Sequence, residues 1–146
     1  MAALCALDVP LVKRERQEAI VRESVRDGTA YAAWDGDALA GYVTWDLGFF
    51  ARPFVRLLAV ARTHRRRGIG AALLHRVEEA ALETARARAL RPELFVSTEG
   101  INTGMQALLA RAGYAPSGSI DNVNEPGNPE LVYHRLLEEG SGPAPR

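Results

Sequence analysis

A single cysteine, Cys5, excludes an internal disulfide and gives no sign of an oxidising compartment. No apolar run approaches the length of a membrane-spanning helix. Eighteen basic and eighteen acidic residues give a net charge of +0, which argues against a protein dedicated to nucleic acid or to an anionic membrane. Aromatics make up only 7%, too few to build a run of exposed platforms for stacking bases. His64, His75 and His134 show no metal-ligand spacing, so no metal is expected. Internal repeats and low-complexity tracts are absent. The opening M-A-A-L-C-A-L lacks the basic and long apolar regions of a signal peptide, and a cytoplasmic location is expected.

What is present suits one globular domain. Apolar residues make up 47% and charged residues 25% of 146, enough for a single core and too few for two. We expect residues 1–138 to form that domain and 139–146 to be a frayed tail. Asp8-Val9-Pro10 reads as a helix start, with the helix running to Asp27 and stopping at Gly28. Asp35-Gly36-Asp37 lies between two apolar runs, 29–34 and 38–45, as in a hairpin. Trp34 and Trp45 are expected to face one another across it. Pro53 opens a third run, 54–60. A long helix follows from Ile69, its apolar stripe Ile69, Leu73, Val77 and Ala80, with His75 on its surface side. Then come a strand at 93–97, a helix at 102–112 and a terminal hairpin, 114–120 with 130–137. The expected fold is α/β (α+β): a mixed central sheet of about six or seven strands with helices on both faces.

One segment carries the chemistry. Residues 60–74 read V-A-R-T-H-R-R-R-G-I-G-A-A-L-L: a strand end, a basic turn, two glycines one residue apart, then a helix. The first N–H groups of a helix have no partner within it and sit at the positive end of its dipole. Such a terminus takes phosphate. Gly68 and Gly70 allow close approach of an anion to the backbone, and Arg65, Arg66 and Arg67 can add bidentate contacts. The turn lacks the Lys and the Ser or Thr of a P-loop, and the third glycine of the dinucleotide fingerprint. A bare triple arginine is usually a solvated turn; the spaced glycines favour a pyrophosphate cradle.

Arg65-x-x-Gly68-x-Gly70-Ala71, five residues after Val60, resembles the coenzyme A motif of the GNAT acyltransferase superfamily. The resemblance continues through Leu94–Thr98, Asn102 and Ala112-Gly113-Tyr114 to the last strand at 130–137. It implies acetyl-CoA as cofactor and strands that splay apart at its site. Leu58, Ala59 and Val60, the turn Arg65 to Ala71 (including Ile69), and Asn102 would hold the cofactor, with the Leu58 N–H polarising the thioester carbonyl. It further implies direct transfer of an acetyl group to a primary amine of a small molecule or protein. Where many members carry a proton-donating Tyr this chain has Leu109, and the strand before the cradle has no carboxylate, only Arg56. Ser97, Thr98, Tyr133 and Glu99 are candidates for the proton chemistry, with Asp46 a further base acting through water. Phe49 and Phe50 could line an acceptor pocket or simply pack in the core.

Two other classes compete. Leu109 leaves open a catalytically weak CoA-binding sensor or regulatory subunit. A nucleic-acid module built on Arg62 and Arg65–Arg67 fits poorly with zero net charge. The acceptor cannot be read from the chain, although Asp121, Glu125 and Glu130 hint at a cationic one. A homodimer paired through the terminal hairpin is compatible with the pattern.

Overall fold

Asp35-Gly36-Asp37 does fold a tight hairpin, with Gly36 at φ +58°. It joins β1 (Ala30–Asp35) to β2 (Ala38–Phe49). The computed structural model describes residues 14–138. Within them α1 (Arg14–Asp27) precedes β1, and Gly28 at φ +72° ends it. The expected helix start at Asp8, any strand before it and the tail 139–146 lie outside the described residues.

The second hairpin joins β2 to β3 (Arg52–Val60) through Phe50 and Ala51, both at positive φ (51° and 56°). Two successive positive φ values match the twist of the flanking strands. Neither residue is glycine, so each carries roughly 1–2 kcal/mol of strain. A short 3₁₀ turn, Arg62–His64, leads to α2 (Ile69–Ala87), then β4 (Glu93–Glu99), α3 (Thr103–Arg111), β5 (Ala115–Ile120) and β6 (Glu130–Leu136). The six strands form one mixed sheet in the order β1-β2-β3-β4-β6-β5. β3 and β4 pair in parallel, and every other pair is antiparallel.

Helices cover both faces, as the apolar periodicities require. On one face Ile20 and Val21 of α1 pack on Tyr42, Leu57 and Ala59. Gln17, itself buried, donates to the Tyr42 hydroxyl at 2.6 Å. On the other face α2 and α3 bring Leu74, Val77 and Leu109 onto Val43, Leu94 and Val96. Gly41 permits the first turn of α2 to sit this close. A Cβ there would stand 2.8 Å from the Ala59 carbonyl oxygen and 3.3 Å from Ile69 Cγ2.

Three local expectations differ from the structure. Trp34 and Trp45 do not face one another: Trp34 is paired with Leu39 and 56% exposed, whereas Trp45 is paired with Val55 and buried. β2 and β4 run further than expected, to Phe49 and Glu99, because antiparallel partners continue beside them. His75 is not a plain surface residue. It is half-buried, with Nδ1 3.5 Å from Glu78, whose carboxylate accepts from Tyr114 (2.8 Å) and Arg135 (3.1 Å). Burial and the Glu78 charge push the Tyr114 phenol well above its ordinary value, so it stays a hydrogen-bond donor.

Candidate functional site

The site begins with one extra residue in β3. The β2–β3 register runs Thr44↔Leu57 and then Trp45↔Val55, so Arg56 is unmatched. A bulge of this kind bends its strand and interrupts pairing. On the other edge of β3 the ladder with β4 consists of Phe54↔Phe95 and Val55↔Val96, and it ends where the bulge begins. Beyond that point the two parallel strands diverge. The splay expected beside Leu58, Ala59 and Val60 is present, and it starts at the bulge.

Strand alternation then decides which peptide groups face the gap. Ala61 N–H donates to the Ala40 carbonyl at 2.8 Å, and Gly41↔Val60 and Val43↔Leu58 follow in register. Alternate residues of an antiparallel pair exchange both bonds and those between exchange none. Ala59 and Leu57 therefore bond to β2, while the N–H and C=O of Leu58 and Val60 point away from it, into the gap. Arg65 Nε reaches the Val60 carbonyl from that side at 3.3 Å.

The basic turn closes the end of this gap. Gly68 adopts φ +79° as the residue before α2, a left-handed conformation that other residues reach only with strain. The first intrahelical bond is Ala72 N–H to Gly68 C=O at 3.0 Å, so the amides of Ile69, Gly70 and Ala71 precede the hydrogen-bonded ladder. Gly70 has a second reason to be glycine: a Cβ would lie 3.1 Å from Leu108 Cδ2 of α3. Arg66 and Arg67 are exposed beside these amides. Arg67 leans toward Asp35 (3.9 Å), which also meets His64 at 3.1 Å. Asn102 stands across the gap and caps α3, accepting from Met105 N–H at 3.1 Å. Amides, guanidinium groups and an open strand edge can together hold an extended ligand with an anionic middle.

Beside the gap lies a cavity of about 800 Å³, between α1, the splayed strands and residues 120–130. Leu58, Ser97, Thr98, Glu99 and Asn102 line it, so these expected site residues meet at one place. Tyr133 does not join them: β6 alternation sends it into the core beneath α2 and α3, where it is 8% exposed. Leu109 is fully buried on that same side. Phe49 lines the cavity and stacks on Phe54 with centroids 5.3 Å apart, whereas Phe50 at the hairpin tip is 86% exposed. Asp46 is already engaged, by Gly48 N–H at 2.8 Å and by Arg56 Nε at 3.2 Å.

Sequence reasoning missed two residues. Arg56 reaches the cavity, where its charge meets Glu23 (2.6 Å) as well as Asp46. No local pattern announces a bulge. Asn128, 8% exposed, holds Glu99 at 2.6 Å. Its only trace in the sequence is an Asn-Pro pair before a strand, which marks a turn.

The comparisons agree with this geometry. No curated protein matches the sequence. Among solved structures, a GNAT-family acetyltransferase of Bacillus cereus superposes with a TM-score of 0.78 at 24% identity, covering 94% of this chain and 90% of that one. A ribosomal-protein-alanine N-acetyltransferase of Brucella melitensis gives 0.64 at 24% identity, over 92% and 85% of the two chains. The yncA protein of Salmonella typhimurium, solved with its cofactor acetyl-CoA, gives 0.66 at 17% identity over 90% and 78%. At these identities the shared property is the fold. The family model for the acetyltransferase (GNAT) family matches residues 6–114, well over half of the sequence, and the chain belongs to that family.

Proposed function

We propose that this protein is an acetyl-CoA-dependent N-acetyltransferase that acts on a primary amine of a small molecule or protein by direct attack. The observation that carries the reading is the edge of β3: the peptide groups of Leu58 and Val60 face a gap that leads to the amides of the first turn of α2, which have no intrahelical partner. Acetyl-CoA, when bound, supplies an acyl group activated as a thioester.

The chain's own groups account for the remaining requirements. The amides of Ile69, Gly70 and Ala71, with Arg65, Arg66 and Arg67, would hold the pyrophosphate and offset its charge. Val60 would lead the pantetheine arm along the open edge, while the Ala59 peptide stays bonded to β2. The Leu58 N–H, which faces the gap, would polarise the thioester carbonyl, a contact that strengthens as charge grows in a transition state. Asn102 limits the gap from the β4 side. The cavity beside Leu58 has the volume of a small-molecule pocket and admits the amine to the carbonyl carbon. Positioning in such a site can supply a large share of the rate.

Burial of Leu109 where family members often carry a proton-donating Tyr favours a second reading, a CoA-binding sensor with weak activity. One panel separates the two: thermal shift with acetyl-CoA, CoA, ATP and NAD, then thiol release over an amine library. The transferase reading expects stabilisation by acetyl-CoA, worth about 2.7 kcal/mol at a hundredfold excess over Kd, together with thiol release on some amine. Stabilisation without release on any amine supports the sensor. Arg67→Glu with Gly68→Asp abolishes the shift on either reading, and an unchanged shift refutes the cradle.

A further inference from the structure

We propose, on the transfer reading above, that Asn128 is a positioning residue that holds Glu99 as the base for the incoming amine. Glu99, Glu125 and Glu130 line the cavity, and of these Glu125 is exposed on its loop. Asp46 and Glu23 both face Arg56, at 3.2 and 2.6 Å, and Glu130 accepts from Asn124 Nδ2 at 2.9 Å. Glu99 is held differently. Its Oε2 accepts from Asn128 Nδ2 at 2.6 Å, and Glu99 lines the cavity.

The orientation of Asn128 is fixed by its second bond. Ile101 N–H donates to Asn128 Oδ1 at 3.2 Å, and a backbone amide can only donate. The amide nitrogen of Asn128 must therefore face Glu99 and act as donor to a carboxylate oxygen. The mount is stiff on every side. Gly100 N–H bonds to the Pro129 carbonyl at 2.8 Å, and Gln106 Nε2 bonds to the Gly100 carbonyl at 2.8 Å. Asn128 N–H bonds to the Glu125 carbonyl at 3.0 Å. A reacting group needs a support of this kind.

Glu99 also lies within one residue of the level of Leu58. Counting on from Val55↔Val96 in equal steps, Leu58 comes level with Glu99; discounting the bulged Arg56, with Thr98. Leu58 and Glu99, on the two sides of the splay, line the same cavity. The acceptor ammonium gives one proton to Glu99 Oε1. The freed nitrogen lone pair forms the C–N bond at the thioester carbon as the C–S bond breaks, and that electron pair leaves with sulfur. The second amine proton passes through water to the thiolate, and Glu99 later returns its proton to solvent.

The test uses the full chain and its variants Glu99→Gln, Asn128→Ala and Asn128→Asp. Acetyl-CoA affinity is read by calorimetry, and thiol release is followed against pH with tyramine, spermidine and a lysine peptide as acceptors. Glu99→Gln is expected to lower kcat by at least about a hundredfold and to remove the acid limb of the profile, with acetyl-CoA affinity unchanged. Asn128→Ala is expected to lower kcat about tenfold and displace that limb. Asn128→Asp, nearly isosteric, sets a second carboxylate against Glu99, in a neighbourhood already holding Glu125, Glu130 and Arg56. The limb then moves to higher pH as the two carboxylates share a proton. No acetyl-CoA binding by the wild type refutes the donor reading itself. Binding with no thiol release from any amine leaves Glu99 nothing to deprotonate and overturns the proposal. Turnover with an intact acid limb in Glu99→Gln overturns only the proposal. Asn128 variants that lose thermal stability but keep kcat and profile overturn its positioning role.

Discussion

Gly68 is where one hydrogen atom decides both stability and ligand grip. Its φ of +79° lies in the left-handed region, which costs an alanine about 1–2 kcal/mol. For a chain of this length that corresponds to a fall in Tm of roughly 3–8 °C for Gly68→Ala. Asparagine tolerates the same region, so Gly68→Asn is expected to lose much less. Affinity gives a second, independent reading. To escape the strain the turn must rotate, and the amides of Ile69, Gly70 and Ala71 rotate with it. Losing one amide bond to a phosphate costs about 1.5–3 kcal/mol, a drop in acetyl-CoA affinity of about ten- to a hundredfold. Differential scanning calorimetry and isothermal titration on wild type, Gly68→Ala and Gly68→Asn make the comparison. Equal Tm and equal affinity for all three proteins would refute both the left-handed turn and its role in binding.

Gly41→Ala is expected to destabilise by about 1–3 kcal/mol, because its Cβ would meet the Ala59 carbonyl at 2.8 Å in a strand pair that cannot separate without moving α2. Urea unfolding should show a lower midpoint at unchanged slope. Tyr114→Phe removes a donor from buried Glu78 and should cost about 1–3 kcal/mol in the same assay. The Tyr114 phenol is raised above its ordinary value of 10.0, chiefly by burial and then by Glu78. Its folded value exceeds its unfolded one, so its contribution is complete below pH 10 and lost as pH rises beyond. Wild-type stability should therefore decline at strongly alkaline pH more steeply than that of Tyr114→Phe.

The elements that sequence made legible are those whose signal is local. Apolar period and turn residues located α2, the Asp35-Gly36-Asp37 hairpin and the cap at Asn102, and glycine spacing marked the turn before α2. Features built from two distant segments escaped. The bulge at Arg56 exists only against β2, so neither the point where the splay starts nor the pairing of Arg56 with Glu23 and Asp46 could be read from residues 52–60. Asn128 and Glu99 stand 29 positions apart and meet only because β4 and β6 are neighbours. Tyr133 and Ser97 both sit in strands beside the site, but pleat direction sends one into the core and the other to the cavity. His75 followed the polar face of its helix, yet Glu78 on the same helix is buried by Tyr114 and Arg135, which arrive from later in the chain.

The most direct measurement is a ¹H–¹⁵N spectrum of the labelled protein titrated with acetyl-CoA. The largest shifts are predicted at the amides of Leu58, Val60, Ile69, Gly70 and Ala71, with slowed hydrogen exchange at the same residues. Saturable binding that leaves those amides unmoved while shifting signals on another face would contradict the account.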